Sequence, residues 1–95
     1  MKVIQSPLFA RKVKKLHKNE KKELDIQIRK IMNDPEIGEG KKGELKGIRV
    51  HKFRAKNTRY LLSYRIKQDV LELIMIGPHE NYYRDLKGYL ESKMG

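Results

Sequence analysis

The chain has 95 residues, enough for one domain with one modest core, and its 38% hydrophobic residues barely outnumber the 37% that are charged. Lys and Arg number 23 against 12 Asp and Glu, a formal net charge of +11, which favours nucleic acid or an acidic protein as partner; no long apolar run or basic amphipathic anchor argues for a membrane. With no cysteine there is no disulfide, thiol nucleophile or Cys-based zinc site, and three dispersed histidines (His17, His51, His79) make a poor metal centre, so neither metal nor cofactor is expected.

In chain order, Val3 and Ile4 predict a short strand within Met1–Gln5, where one Lys and no apolar run predict a cytoplasmic chain without a secretory signal. Ser6-Pro7 supplies a helix cap and a first helical Pro, and Phe9, Val13 and Leu16 at helical spacing carry that helix to about Lys18. Asn19 is the expected cap of a second helix, with Glu20 set against its dipole and Leu24, Ile28, Ile31 and Met32 as the buried stripe. Asn33-Asp34-Pro35 ends it. The pair reads as an antiparallel helical hairpin whose outer lysines (Lys12, Lys14, Lys15, Lys18, Lys21, Lys22) form a solvated face.

Gly38, Gly40, Gly43 and Gly47 mark residues 36–47 as a loop. Three strands follow: Ile48–Arg54, Tyr60–Lys67 and Val70–Ile76, with turns at Asn57-Thr58 and Gln68-Asp69. In the second, Tyr60, Leu62, Tyr64 and Ile66 share one face, and Leu61, Ser63 and Arg65 the other. In the first, Ile48 and Val50 share parity with Lys52 and Arg54 while Phe53 does not, which predicts a bulge. The third, nearly all apolar, suits a position covered on both faces. After Gly77-Pro78 a last helix is expected from His79 or Glu80 to about Lys93, with Tyr82, Leu86, Tyr89 and Leu90 as its stripe and Tyr83 off it. The fold class is therefore α/β in the α+β sense, a single domain over residues 1–95: a helical hairpin on a small antiparallel sheet, with a C-terminal helix.

Residues 41–67 hold ten Lys or Arg against one acid, Glu44. Lys52 and Arg54 on one strand face, flanked by Leu61, Ser63 and Arg65, suit phosphate neutralisation, and like charges across a sheet need a reason to be there. Cleavage of RNA by its own 2′-hydroxyl requires a base for the 2′ proton, cations for the pentavalent phosphorane and an acid for the leaving 5′-oxygen. Beside the basic strands, His79 reads equally as a proton-transfer group and as a helix cap; Tyr83, four residues on, reads as a stacking or phosphate-binding residue or as packing. The parity of His51 opposes that of Lys52 and Arg54 and favours packing, and His17 reads as solvated.

Two basic helices, Leu45-Lys46-Gly47, a basic strand, Tyr60-Leu61-Leu62-Ser63-Tyr64-Arg65-Ile66, an apolar strand and Ile76-Gly77-Pro78-His79 with Tyr83 resemble, over nearly the whole chain, the RelE/ParE superfamily of type II toxin–antitoxin toxins. The resemblance implies a cognate antitoxin as partner. It also implies one of two activities: RelE-like members cut mRNA in the ribosomal A site, in contact with 16S rRNA, and ParE-like members poison DNA gyrase. Gly77, His79 and Tyr83 match the Gly-x-His and following aromatic of YafQ-type ribonucleases, which implies proton transfer by His79 and a contact of Tyr83 near the scissile phosphate. Lys52 and Arg54 fall where basic catalytic residues are expected, and Lys46, Arg49, His51, Lys56, Arg59 and Arg65 are the expected RNA-binding residues. Three departures stand out. Leu61 replaces an Arg of RelE-type members, with Arg59 and Arg65 as candidates to compensate; His79 replaces another Arg; and His51 is the candidate for the additional His of the YafQ-type hairpin. The expectation is a ribosome-dependent, metal-independent mRNA endonuclease, with a gyrase inhibitor and a degenerate non-toxic member as alternatives.

Overall fold

The computed structural model describes residues 1–94. Strand β1 (Lys2–Gln5) leads into α1 (Pro7–Lys14) and α2 (Lys18–Asn33). A two-residue strand β2 (Glu39–Gly40) and one 3₁₀ turn (Gly43–Leu45) precede β3 (Arg49–Ala55), β4 (Thr58–Lys67), β5 (Val70–Pro78) and α3 (Tyr82–Met94). The sheet order is β1-β5-β4-β3-β2. Strands β2 to β5 pair antiparallel, whereas β1 lies parallel to β5, so the expected antiparallel sheet is mixed at one edge. This direction lets β1 deliver the chain to α1 at the middle of β5. There Ser6 donates its N–H to Leu73 O (2.9 Å) and its hydroxyl to Ile74 O (2.6 Å).

The same hydroxyl accepts the Phe9 N–H at 2.9 Å, the N-cap bond that Ser6-Pro7 foretold. Helix α1 stops at Lys14, short of Lys18, because His17 is extended (φ −75°, ψ 164°) and caps α2 in place of Asn19. The reason is Glu20, three residues after His17: its carboxylate accepts the His17 N–H at 2.8 Å, half of a capping box. In α2 the buried stripe is Leu24, Gln27 and Ile31, and Met32 is exposed rather than buried.

The sheet lies between two helical layers. Phe9, Leu24 and Ile31 of the hairpin pack on Tyr60, Leu62, Tyr64, Leu71, Leu73 and Ile76. On the other face, Tyr82 and Leu86 of α3 pack on Val50, Leu61, Ile74 and Met75, joined by Leu45 and Ile48. Each fully buried aliphatic contributes about 1.5–3 kcal/mol relative to exposure. Tyr82 keeps its hydroxyl satisfied in that layer, 2.8 Å from Met75 O and 2.7 Å from Ser63 Oγ.

Strand β3 has no bulge. Its partners run without interruption from Arg49 opposite Tyr64 to Ala55 opposite Thr58, and the turn falls at Lys56-Asn57, with Lys56 at φ 55°. Phe53 faces the helical hairpin beside Tyr60, while Val50, Lys52 and Arg54 face the side of α3. The parity conflict in the sequence has another cause: α3 covers Ile48 and Val50 but stops short of Lys52 and Arg54. The irregularity instead lies in β5. Ser63 pairs with Met75 and Tyr64 with Leu73, so Ile74 is an extra residue with no partner in β4.

Gly38 fastens the loop before β2. Its N–H donates to Tyr64 Oη at 2.9 Å, Tyr64 Oη donates to Pro35 O at 2.7 Å, and Arg49 Nη1 donates to Gly38 O at 2.7 Å. A Cβ at Gly38 would lie 2.7 Å from Tyr64 Oη, whose ring is fully buried. Gly38→Ala is therefore expected to destabilise the fold by about 1–3 kcal/mol, read as a lower urea midpoint with unchanged slope.

Candidate functional site

Beyond the end of α3's coverage, β3 and β4 continue to their turn and leave an open cleft of about 420 Å³. Lys52, Phe53 and Arg54 of β3, Arg59, Tyr60 and Leu61 of β4, and His79 line it. Leu61, only 1% exposed, is its apolar floor. Arg54 pairs directly with Arg59 across the two strands. Among the described residues, none of Lys52, Arg54 and Arg59 is held in an ion pair, and no carboxylate lines the cleft. Opposed like charges destabilise a strand pair, and a bound anion removes that cost.

His79 is exposed and lies just past β5, yet its N–H donates to Arg59 O at 3.3 Å and so continues the ladder by one residue. It is not helical. His79, Glu80 and Asn81 form a turn, with Tyr82 N–H on His79 O at 3.3 Å and Asn81 at φ 60°, and α3 begins at Tyr82. The expectation that His79 and Tyr83 share one turn of a helix is therefore corrected.

Tyr83 does not line the cleft, and it is half-buried rather than free. It packs edge-on to Tyr82 (centroids 5.7 Å, 82°), and Lys41 Nζ lies 5.0 Å from its ring centroid. Lys41 also pairs with Glu39, which holds the ammonium pKa above its ordinary value; burial opposes this and Tyr83 reinforces it. Glu39 is in turn held below its ordinary value by Lys41 first, with a smaller effect of Lys52. Tyr83, Lys41 and Glu39 thus form the β2 flank of Lys52. Lys41 carries no sequence signal beyond its charge, because its place depends on the two-residue strand before it.

The remaining expected RNA-binding residues are dispersed. Arg65 donates from Nε (2.8 Å) and Nη2 (2.6 Å) to Glu72, toward the far end of β4. Arg49 is tied to the Gly38 loop, and Lys46 and Lys56 are exposed at turns. Of the two candidates to compensate for Leu61, only Arg59 reaches the cleft. His51 is on the opposite sheet face: Nε2 lies 2.7 Å from Gln27 Oε1 and the ring stacks on Phe53. Burial, and secondarily Lys30, hold its imidazole below the ordinary pKa.

Phe53 stacks in turn on Tyr60 at 5.7 Å, and the Tyr60 hydroxyl donates to the buried Glu20. Burial, then this bond, push the Tyr60 phenol up to about 12. The Tyr60 bond first, then the His17 N–H, hold the Glu20 carboxyl below its ordinary value. A depressed carboxylate adds stability that is fully present above the ordinary value of 4.5 and is lost as pH falls through the lower folded one. Glu20→Gln should accordingly flatten the acid limb of melting temperature against pH below about 4.5; thermal melts across that range test this, and parallel curves for variant and parent would refute it.

Known proteins share this architecture. The isolated E. coli RelE toxin matches with a TM-score of 0.67 at 18% identity, over 93% of this chain and 97% of that one. The intact E. coli RelBE toxin–antitoxin complex matches at 0.68 and 18%, over 83% and 96%. A conserved hypothetical protein from Helicobacter pylori, solved in solution, matches at 0.58 and 24%, over 83% and 94%. No curated protein matches the sequence significantly. A model of the ParE-like toxins of type II bacterial toxin–antitoxin systems matches residues 3–87, and the chain belongs to that family. It is thus a small α+β toxin of the RelE/ParE superfamily, of the type II toxin–antitoxin class.

Proposed function

We propose that the chain is an mRNA endonuclease that acts at the ribosomal A site, with the RNA's own 2′-hydroxyl as nucleophile and no metal. The observation that carries this reading is one cleft, free of carboxylates, in which Arg54 and Arg59 face each other beside Lys52 and His79. In the reaction the 2′-oxygen attacks phosphorus and loses its proton, the bond from phosphorus to the 5′-oxygen breaks, and that oxygen gains a proton. The products are a 2′,3′-cyclic phosphate and a 5′-hydroxyl. Lys52, Arg54 and Arg59 hold the phosphate and offset charge on the phosphorane, and Arg can do so through two parallel hydrogen bonds. The imidazole of His79, which can accept or donate a proton, serves one of the two transfers. Tyr83, seated on Lys41, orients the nucleotide on the β2 flank.

Primer extension on mRNA after induction tests this directly. Discrete breaks within translated codons are expected, and their absence from ribosomes supplied with purified toxin counts against it.

The family match supports a second reading, a ParE-type gyrase inhibitor. Intact transcripts together with trapped gyrase–DNA complexes would favour it.

A further inference from the structure

A second concavity, larger than the cleft and sharing no residue with it, runs between α1 and α3 and measures about 750 Å³. Helix α1 takes over the edge of β5 where β1 ends, and it faces both layers: Phe9 packs with the hairpin core and Leu8 with the α3 core. The groove results from that straddling position. Arg11, Lys12, Lys14 and Lys15 form one wall, and Arg84, Asp85, Gly88 and Ser92 the other. Leu8 and Tyr89 supply apolar surface between them. Among the described residues the groove holds one carboxylate, Asp85, which lies 3.5 Å from Arg84 Nε on its own wall, and no ion pair holds the four cations of the α1 wall. A Cβ placed on Gly88 would meet nothing within 4 Å, which leaves room over the α3 wall.

The geometry points to this groove as a docking site for an acidic amphipathic segment of a protein, separate from the RNA-cleaving cleft. An occupant must put apolar groups on Leu8 and Tyr89 and carboxylates along one side only, against α1. A short amphipathic helix has that division of faces, and helix α1, about 12 Å long, matches two turns of it. A phosphodiester backbone carries charge along its whole length, and it would leave the apolar strip uncovered and meet a charge-balanced α3 wall, where Asp85 offsets Arg84. The family supplies a protein partner of this kind in the cognate antitoxin. The inference rests on family membership and the groove, not on the nuclease reading. It implies that restraint of the toxin and cleavage by it use different surfaces.

The test is fluorescence polarisation with a labelled synthetic peptide of about four helical turns, Leu on one face and Glu on the other, at about 0.15 M salt. The parent chain should bind it, and Arg11→Glu with Lys15→Glu, both exposed positions, should weaken binding by about tenfold or more. Arg11→Gln with Lys15→Gln, which does not oppose the helix dipole, should weaken it less and in the same direction. Lys52→Glu with Arg54→Glu changes net charge equally and should leave peptide affinity within about twofold. Equal losses from the groove and cleft pairs would overturn the proposal, as would no binding by the parent chain. So would a groove pair that retains the peptide but loses a single-stranded oligoribonucleotide. Cleavage of ribosome-bound mRNA by the Gln pair, measured in parallel, reports on the nuclease reading alone.

Discussion

His79→Ala should lower mRNA cleavage by about 10²–10⁴-fold, the range in which a positioned proton-transfer group contributes. The side chain is exposed, and its place depends on its own backbone N–H, which the substitution keeps on Arg59 O. Stability should therefore change by no more than about 0.5 kcal/mol. That combination, lost chemistry with an intact melting temperature, separates a proton-transfer role from a structural one. Arg59→Ala should also reduce cleavage but weaken RNA binding with it, because a cation that holds the phosphate acts before the transition state as well as in it. If His79→Ala keeps more than about a tenth of the parent rate, proton transfer belongs to water or another group and the imidazole is incidental.

The largest effect on folding is expected from Leu62→Ala. Leu62 is fully buried in β4, between His51 of β3 and Ile76 of β5, and it belongs to the layer beneath the helical hairpin. Truncation of a buried Leu costs about 2–5 kcal/mol. Small domains hold only about 5–15 kcal/mol in total, and each kcal/mol moves the melting temperature by roughly 4–8 °C at this size. A fall of about 8–40 °C follows, to be read by circular dichroism. An unchanged transition would mean that the hairpin does not share a cooperative core with the sheet.

Much of this was legible in the sequence, and the parts that were not have definite causes. The alternation of Tyr60, Leu62 and Tyr64 with Leu61 and Ser63 correctly divides β4 between two helical layers. Ser6-Pro7 correctly marks the start of α1. The sequence is silent on β2 and on the parallel pairing of β1, because strands this short are held by backbone bonds to their neighbours and carry no periodicity of their own. Glu20 and Tyr60 meet across 40 positions, a contact that only tertiary packing creates. The cleft was half visible. The shared parity of Lys52 and Arg54 was sound, but where α3 stops could not be read from residue types, so Phe53 looked out of phase when it merely faced the other layer. The four-residue step from His79 to Tyr83 suggested a helical turn; Asn81 in a left-handed conformation breaks it.

The unpaired Ile74 has a consequence for where the imidazole ends up. Before it, Leu71 and Leu73 turn toward the helical hairpin; after it, Ile76 does so and Gly77 turns the other way, toward Tyr82 in the α3 layer. Counted along the chain, Leu73 and His79 are an even number of residues apart and ought to point alike. One inserted residue reverses the phase, and only through that reversal does His79 reach the side of Arg54 and Arg59. Strand β5 behaves as a parity counter, and deletion of Ile74, with every site residue left in place, would turn the imidazole to the wrong side of the sheet.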